Sequence, residues 1–208
     1  MLPGPVKIIK CPYCDQKFKQ STMMSGNTMG ATFWTDGKRE APMLPDSITI
    51  SFCGACRQYF WVDDAEVLDE APPDSDKYLD LDYLKNLTLE QYIDAFQKIE
   101  IRSDQDKFFL LRQIWWKYND YYRENKEAEI PQAIKKLIPD LLDKLLDNFN
   151  EENDDHFLMK GELLRELGQF KVAEKTLKKI NNPEYKEVKQ FIMRLVKNEN
   201  SELKELEI

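Results

Sequence analysis

Histidine is almost absent from this 208-residue chain, which contains only His156. The chain also lacks the Gly-x-Ser-x-Gly, Walker and dinucleotide-binding motifs, and a catalytic triad built on a single histidine would need an unusual partner. His156 is expected to be an exposed polar residue at the start of a helix, with a general base or a second metal site as the alternatives. These absences predict a protein that is not an enzyme and that binds no organic cofactor.

Long hydrophobic runs are absent as well. No segment approaches the roughly 20 apolar residues that span a bilayer. The N-terminal residues lack the basic and apolar regions of a secretory signal. We therefore expect a cytoplasmic protein without a membrane partner, in which four cysteines are better suited to binding metal than to forming disulfides.

The charge is unevenly distributed along the chain. Residues 1–62 contain seven Lys or Arg and four Asp or Glu, although the whole chain has a formal net charge of −8. Four thiolates around Zn²⁺ would add a charge of about −2 to this basic part, which leaves little attraction for phosphate. Weak nucleic-acid binding through residues 1–62 is therefore only the alternative function.

Two Cys-x-x-Cys pairs are the strongest pattern in the chain, formed by Cys11, Cys14, Cys53 and Cys56. Two thiolates three residues apart can bind the same ion through a tight turn, and two such pairs complete a tetrahedron. Soft sulfur ligands favour Zn²⁺ or iron. Because four cysteines close the coordination shell, we expect one structural Zn²⁺ per chain in a zinc ribbon. A redox-active dithiol, an iron site and four unrelated core cysteines are the alternatives.

The two pairs are unusually far apart. Thirty-eight residues separate Cys14 from Cys53, against roughly 15 to 20 in the compact pattern. A hairpin insertion would account for the difference, and Asp36-Gly37 is a strong hairpin turn signal. We also expect Gly54 to relieve strain in the second pair by adopting a positive φ.

Methionine and aromatic residues are concentrated in this insertion. Such residues form surfaces that adapt to varied ligands, but they could equally pack the back of a small ribbon. As a possible partner-binding surface, the sequence offers Met23, Met24, Met29, Phe33 and Trp34.

An acidic segment follows the ribbon. Residues 63–82 contain nine acidic residues and one Lys, with Pro72-Pro73 in the middle. This composition predicts a solvated linker with at most a short helix near 65–69. The predicted domains are thus a zinc ribbon with a hairpin insertion at 1–62, a linker at 63–82 and an α-helical domain at 83–208.

The pattern after residue 83 is helical throughout, with about six helices indicated by caps and breaks. Thr88 and Gln91 form a capping box, and Ser103 begins a long helix. Pro139 should kink or split the helix that contains it, and Asp154 or Asp155 should cap the next one. The last residues, from 202 to 208, are expected to fray. The predicted fold class is α+β, a small β-rich ribbon followed by an all-α domain.

Residues 157–180 resemble a single tetratricopeptide repeat. Gly161, Gly168 and Ala173 occupy the small-residue positions of that repeat, with Leu164 and Leu177 at larger apolar positions. The chain departs from the repeat at its end, where Ile180 replaces an expected alanine and Pro183 comes two places early.

Most of the chain also resembles uncharacterised bacterial proteins that join an N-terminal zinc ribbon to a C-terminal tetratricopeptide-like domain. The matching segments are Cys11-Pro-Tyr-Cys14, residues 25–34 with Asp36-Gly-Lys38, Cys53-Gly-Ala-Cys56, Trp115-Trp116, Asn119-Asp120 and Arg123. This resemblance implies an architecture and a metal, and no activity.

Together these features lead us to expect a non-enzymatic zinc-binding interaction or adaptor protein whose partner is another protein or a peptide. A third hypothesis is an enzyme with carboxylates such as Asp36 or Asp120 in a cleft between the modules.

Overall fold

The computed structural model describes residues 1–150 and 152–207, which form two compact units. The first unit consists of Met1–Ala31 and Glu40–Glu100, and the second of Thr32–Arg39 together with the chain from Ile101 onward. These units differ from the predicted domains 1–62 and 83–208, because residues 32–39 group with the helical segment and the first helix groups with the strands.

Nine short strands lie in the N-terminal part of the chain, most of them in the first unit. Within the described residues they are β1 (Leu2–Pro3), β2 (Val6–Lys10), β3 (Lys17–Gln20), β4 (Met23–Ser25), β5 (Thr32–Phe33), β6 (Arg39–Glu40), β7 (Ile50–Cys53), β8 (Gln58–Trp61) and β9 (Glu66–Ala71). Two pairings position the cysteines, an antiparallel sheet of order β3-β2-β9 and the antiparallel pair β7-β8.

The acidic segment after the ribbon contains a strand, so the expectation of a short helix near 65–69 is wrong. A 3₁₀ turn at Val62–Asp64 leads into β9, which pairs with β2 from Val6↔Ala71 to Lys10↔Glu66. β9 is the outer strand of its sheet, where acidic side chains reach water and also oppose pairing with another chain. Composition alone could not show that β2 has a free edge for this segment.

Six α-helices lie within the described residues. They are α1 (Leu89–Lys98), α2 (Asp104–Arg123), α3 (Gln132–Leu146), α4 (Asp154–Glu166), α5 (Phe170–Lys178) and α6 (Lys186–Lys197). The small antiparallel sheets followed by six helices confirm the α+β class. No helix in residues 1–150 or 152–207 combines the length and the apolar character needed to cross a bilayer.

Local capping signals predicted the starts of α1 and α2. The capping box of Thr88 and Gln91 is present at α1, and the Ser103 hydroxyl accepts the Asp106 N–H at α2. The predicted cap of α4 is wrong by one residue, because Asn153 accepts the first N–H groups. α3 continues through Pro139 without splitting. Pro139 is exposed, so water can hydrate the carbonyl that loses its helical N–H partner.

The second unit has a helical core around α2 and a tight α4–α5 hairpin. Trp115, the largest fully buried side chain among the described residues, lies in α2. Gly168 lies just after the end of α4 with φ +72°, the left-handed conformation in which glycine commonly terminates a helix. A Cβ atom on Gly161 would lie 2.5 Å from the Cδ2 atom of Leu177, so only glycine allows this close packing of the hairpin.

The C-terminal residues do not fray as expected, at least as far as residue 207; Ile208 lies outside the described residues. The Thr35 N–H donates to the Lys204 carbonyl at 2.9 Å, and the Leu206 N–H donates to the Phe33 carbonyl at 2.7 Å. The tail therefore pairs with the hairpin of the second unit. The polar composition of the tail suggested fraying. Its backbone partner lies about 170 residues away in sequence, so local composition could not reveal the pairing.

Candidate metal centre

The four cysteines lie in two turns that each join a pair of antiparallel strands. Cys11 directly follows β2, and Cys14 lies in the same turn before β3. Cys53 is the last residue of β7, and Cys56 lies in the turn before β8. Each strand pair holds the ends of its turn in register, so the sheet hydrogen bonds position the sulfur atoms.

The four sulfur atoms form one compact group. The Sγ atoms of Cys11 and Cys56 are 3.8 Å apart, and those of Cys14 and Cys53 are 3.6 Å apart. All four Sγ atoms lie within 4.8 Å of one another. A tetrahedral ion with metal–sulfur bonds of about 2.3 Å separates its sulfur ligands by about 3.8 Å. The four cysteines are thus positioned to bind one metal ion, and all are free of disulfides.

Burial and backbone N–H groups have opposite effects on the pKa values of the Cys11 and Cys53 thiols. Burial raises the pKa of the Cys11 thiol to about 12, although N–H groups of Tyr13 and Cys14 lower it. Burial also acts to raise the pKa of Cys53, but hydrogen bonds that include the Cys56 N–H leave it below its ordinary value. Because metal binding requires thiolates, it would release protons and become tighter as the pH rises.

The second turn contains a left-handed residue at a position that the sequence did not predict. Arg57 has φ 58°, whereas Gly54 does not have a positive φ, so the expectation for Gly54 is wrong. The Arg57 N–H donates to the Cys53 carbonyl at 2.7 Å, which closes the turn. A Cβ atom on Gly54 would meet nothing within 4 Å.

An apolar cluster packs beneath the cysteines. Its buried members besides Cys11 and Cys53 are Ile9, Phe18, Phe60, Val62 and Leu84. The side chains of β8 also reach the end of α1, where Tyr59 donates to Asp94 at 3.0 Å and Trp61 donates to the Glu100 carbonyl at 3.1 Å. The metal site, this cluster and α1 therefore depend on one another within the first unit.

The composition of the site is consistent with a structural metal ion. All four ligands are cysteine, which leaves no open position for water on a four-coordinate ion. Among the described residues, no other group of three or more His, Cys, Asp or Glu side chains comes close enough together to bind a metal ion.

The methionine and aromatic residues predicted as a partner surface do not fall in one compact unit. Met24 and Met29, which are 70% and 78% exposed, belong to the first unit with the half-buried Met23. Phe33 and Trp34 belong to the second unit, where the Trp34 ring lies 5.2 Å from the guanidinium carbon of Arg123.

His156 is partly buried rather than exposed, which corrects the sequence-based expectation. Its ring stacks on Phe108 with 4.4 Å between the centroids, and its Nδ1 atom accepts the Asn150 N–H at 2.8 Å. Burial is the main cause that lowers the pKa of His156. The histidine therefore packs as a neutral aromatic ring.

The carboxylates named for an enzyme, Asp36 and Asp120, both lie in the second unit. Asp36 is fully buried and forms an ion pair with Arg123, and Asp120 forms ion pairs with Lys38 and Arg123. Basic side chains thus already neutralise both carboxylates.

Glu166 is the residue that sequence reasoning missed. It accepts hydrogen bonds from Trp115 and Asn119 and lines a cavity of the second unit. The available signal was an acidic residue in the last turn of α4, where the helix dipole disfavours a negative charge.

Comparison with protein-family models, with curated proteins and with solved structures finds no match to this chain.

Proposed function

We propose that this chain is a non-enzymatic zinc-binding protein in which one structural Zn²⁺ stabilises the first unit, and which serves as an interaction or adaptor protein. The observation that carries the metal proposal is the group of four cysteine sulfur atoms within 4.8 Å of one another above a small apolar cluster. Two of these cysteines are themselves buried members of that cluster, so metal binding there would add to the folding free energy of the first unit.

Exposed apolar side chains of the first unit support the interaction role. Leu2 on β1 and Met24 on β4 are exposed, and these two strands pair. A hydrogen bond from Asn27 to the Met43 carbonyl brings a third exposed apolar residue beside this strand pair. Exposed apolar patches mark interaction sites, and methionine adapts to varied partners. We infer that the partner is a protein or peptide that contacts this surface.

The tetratricopeptide-like character of the second unit is part of the same proposal. It is supported by the close α4–α5 packing at Gly161 and by α6, which continues the apolar cluster of that hairpin through Ile192 and Val196. In this proposal, the helical hairpins provide a second surface for a peptide partner.

Nucleic-acid binding has less support than protein binding, because the basic residues of segment 1–62 do not act together. Lys38 and Arg39 belong to the second unit, where Lys38 pairs with Asp120. Lys10 of the first unit pairs with Asp15.

Site-specific photo-crosslinking tests the interaction role. A photoreactive residue at Met24 or Met29 is expected to give discrete protein adducts in cells that express the full chain, because these side chains project into solvent. The same residue at the exposed Lys17 of β3 is the matched control and should give few adducts. Adducts that disappear on nuclease treatment would instead support the nucleic-acid alternative. Equal labelling at all three positions would contradict a specific partner surface.

A further inference from the structure

A cavity of about 670 Å³ lies within the second unit. It is lined by side chains of α2, α3 and the end of α4, and by the tail residues 201–204. Its apolar part includes Ile138, Leu142 and Leu167, and its polar part includes Asn119 and Glu166. A cavity of this volume, with both apolar and polar side chains in its lining, is large enough for a small molecule.

The carboxylates near this cavity differ in their partners. Among the described residues, three of them form ion pairs with basic side chains, namely Asp36 with Arg123, Asp120 with Lys38 and Arg123, and Glu162 with Arg165. Glu166 forms no ion pair within the described part of the chain. Its oxygens accept only from neutral donors, the Trp115 indole at 2.7 Å and the Asn119 amide at 3.3 Å.

The surroundings of Glu166 oppose its charged form. Burial, followed by the charges of Glu162 and Asp36, raises the pKa of Glu166 well above its ordinary value, and the Trp115 hydrogen bond and Arg165 only partly offset this effect. The Asn119 amide also donates to Asp36 at 2.9 Å, so one neutral side chain links the two carboxyl groups. Among the described residues, Glu166 therefore lacks the ion-pair partner that Asp36, Asp120 and Glu162 each have.

The other charges of the lining balance. Lys204 is paired with Glu202 at 2.6 Å, and the lining also contains Lys135 and Glu127. The aromatic side chains of the lining, Tyr118 and Tyr122, have ring centroids 5.5 Å apart. Tyrosine ring faces attract ammonium groups. Their presence beside an uncompensated carboxyl group favours a cationic ligand over an anionic one.

We propose that this cavity binds a small organic amine whose ammonium group forms an ion pair with Glu166. Its hydrocarbon part contacts the apolar wall of α3. This inference concerns the second unit and does not depend on the proposed metal or on the proposed protein partner.

Binding of such an amine involves a defined proton transfer. Where the Glu166 carboxyl carries a proton in the free protein, it becomes a carboxylate beside the ammonium ion in the complex. An ammonium ion taken from solution therefore displaces one proton from Glu166 to the buffer. The groups that face Glu166 are Asp36 of the hairpin, Tyr118 of α2, and Glu162 and Arg165 of α4.

Isothermal titration calorimetry of the full chain tests this proposal with n-butylammonium as the probe and 1-butanol as its neutral counterpart. We expect saturable binding of the ammonium ion with release of a proton, measured in buffers of different ionisation enthalpy, and no comparable binding of the alcohol. Glu166→Gln keeps the shape of the side chain and should weaken binding by about tenfold or more. The control Glu124→Gln removes the same charge from an exposed residue outside the cavity lining and should leave the affinity unchanged.

Several outcomes would overturn the proposal. Binding of the alcohol as tightly as the ammonium ion would show that charge plays no role, and this comparison needs no variant. Absence of binding, or equal affinity of the wild-type protein and a folded Glu166→Gln variant, would each exclude an ion pair with Glu166. Binding only of a lysine-containing peptide would exclude a small amine as the ligand.

Discussion

Replacing Cys53 with serine is expected to unfold the first unit and to leave helices α2 to α6 of the second unit folded. Cys53 is fully buried and would be one of four metal ligands. Structural Zn²⁺ contributes about 10 to 16 kcal/mol in zinc-finger peptides, and the apolar cluster packed against the site includes both Cys53 and Cys11. We expect α1 to unfold with the strands, because Tyr59 and Trp61 of β8 hydrogen-bond to residues in and just after α1.

Hydrogen exchange followed by mass spectrometry checks this result. Amides of β2, β7, β8 and α1 should lose protection in Cys53→Ser, whereas amides of α2 to α6 should keep it. Tyr13→Ala is the matched control, because Tyr13 lies between two ligands of the same site but is exposed. If all helices lost protection together, the two units would form a single cooperative structure. If the strands kept their protection, the metal would not hold the first unit together.

Replacing Asp36 with alanine is expected to destabilise the second unit by about 3 to 5 kcal/mol while metal stays bound to the first. Asp36 is fully buried, and its removal leaves the buried Arg123 guanidinium without its buried counter-charge and frees the Asn119 amide from one acceptor. The effect is notable because Asp36 lies between the two cysteine pairs in sequence, yet its partners are in α2.

Chemical denaturation followed by circular dichroism, with metal analysis of the same sample, measures this effect. The double variant Asp36→Leu with Arg123→Met removes both charges and should recover most of the lost free energy of unfolding, since replacing a buried ion pair with apolar side chains is often neutral. A loss below about 1 kcal/mol in Asp36→Ala would show that this ion pair does not support the helical unit. Release of metal by the Asp36→Ala variant would show instead that the hairpin containing Asp36 supports the metal-binding first unit.

Sequence predicted the features that depend on neighbouring residues. The capping box at Thr88, the turn at Asp36-Gly37 and the two cysteine pairs each involve residues within four positions of one another, so the pattern and its chemistry can be read together. The predicted turn is present, with φ +79° at Gly37. The four cysteines come together because the turns predicted for each pair lie at the ends of strand pairs.

Features that depend on distant residues could not be predicted. The strand β9 forms because β2 offers a free edge, and the tail is ordered because the hairpin at 32–35 accepts its backbone. Glu166 illustrates the same point, because it is a polar residue near a helix end whose burial depends on α2 and on the surrounding carboxyl groups. Local composition reported charge and polarity correctly but contained no information on these partners.

Metal analysis of the purified full chain, combined with thiol titration before and after chelation, tests the central claim most directly. Under the proposed function we expect one zinc ion per chain and four thiols that react only after the metal is removed. A protein without metal whose four thiols react at once, or one that contains iron with a redox-active spectrum, would contradict a structural zinc site.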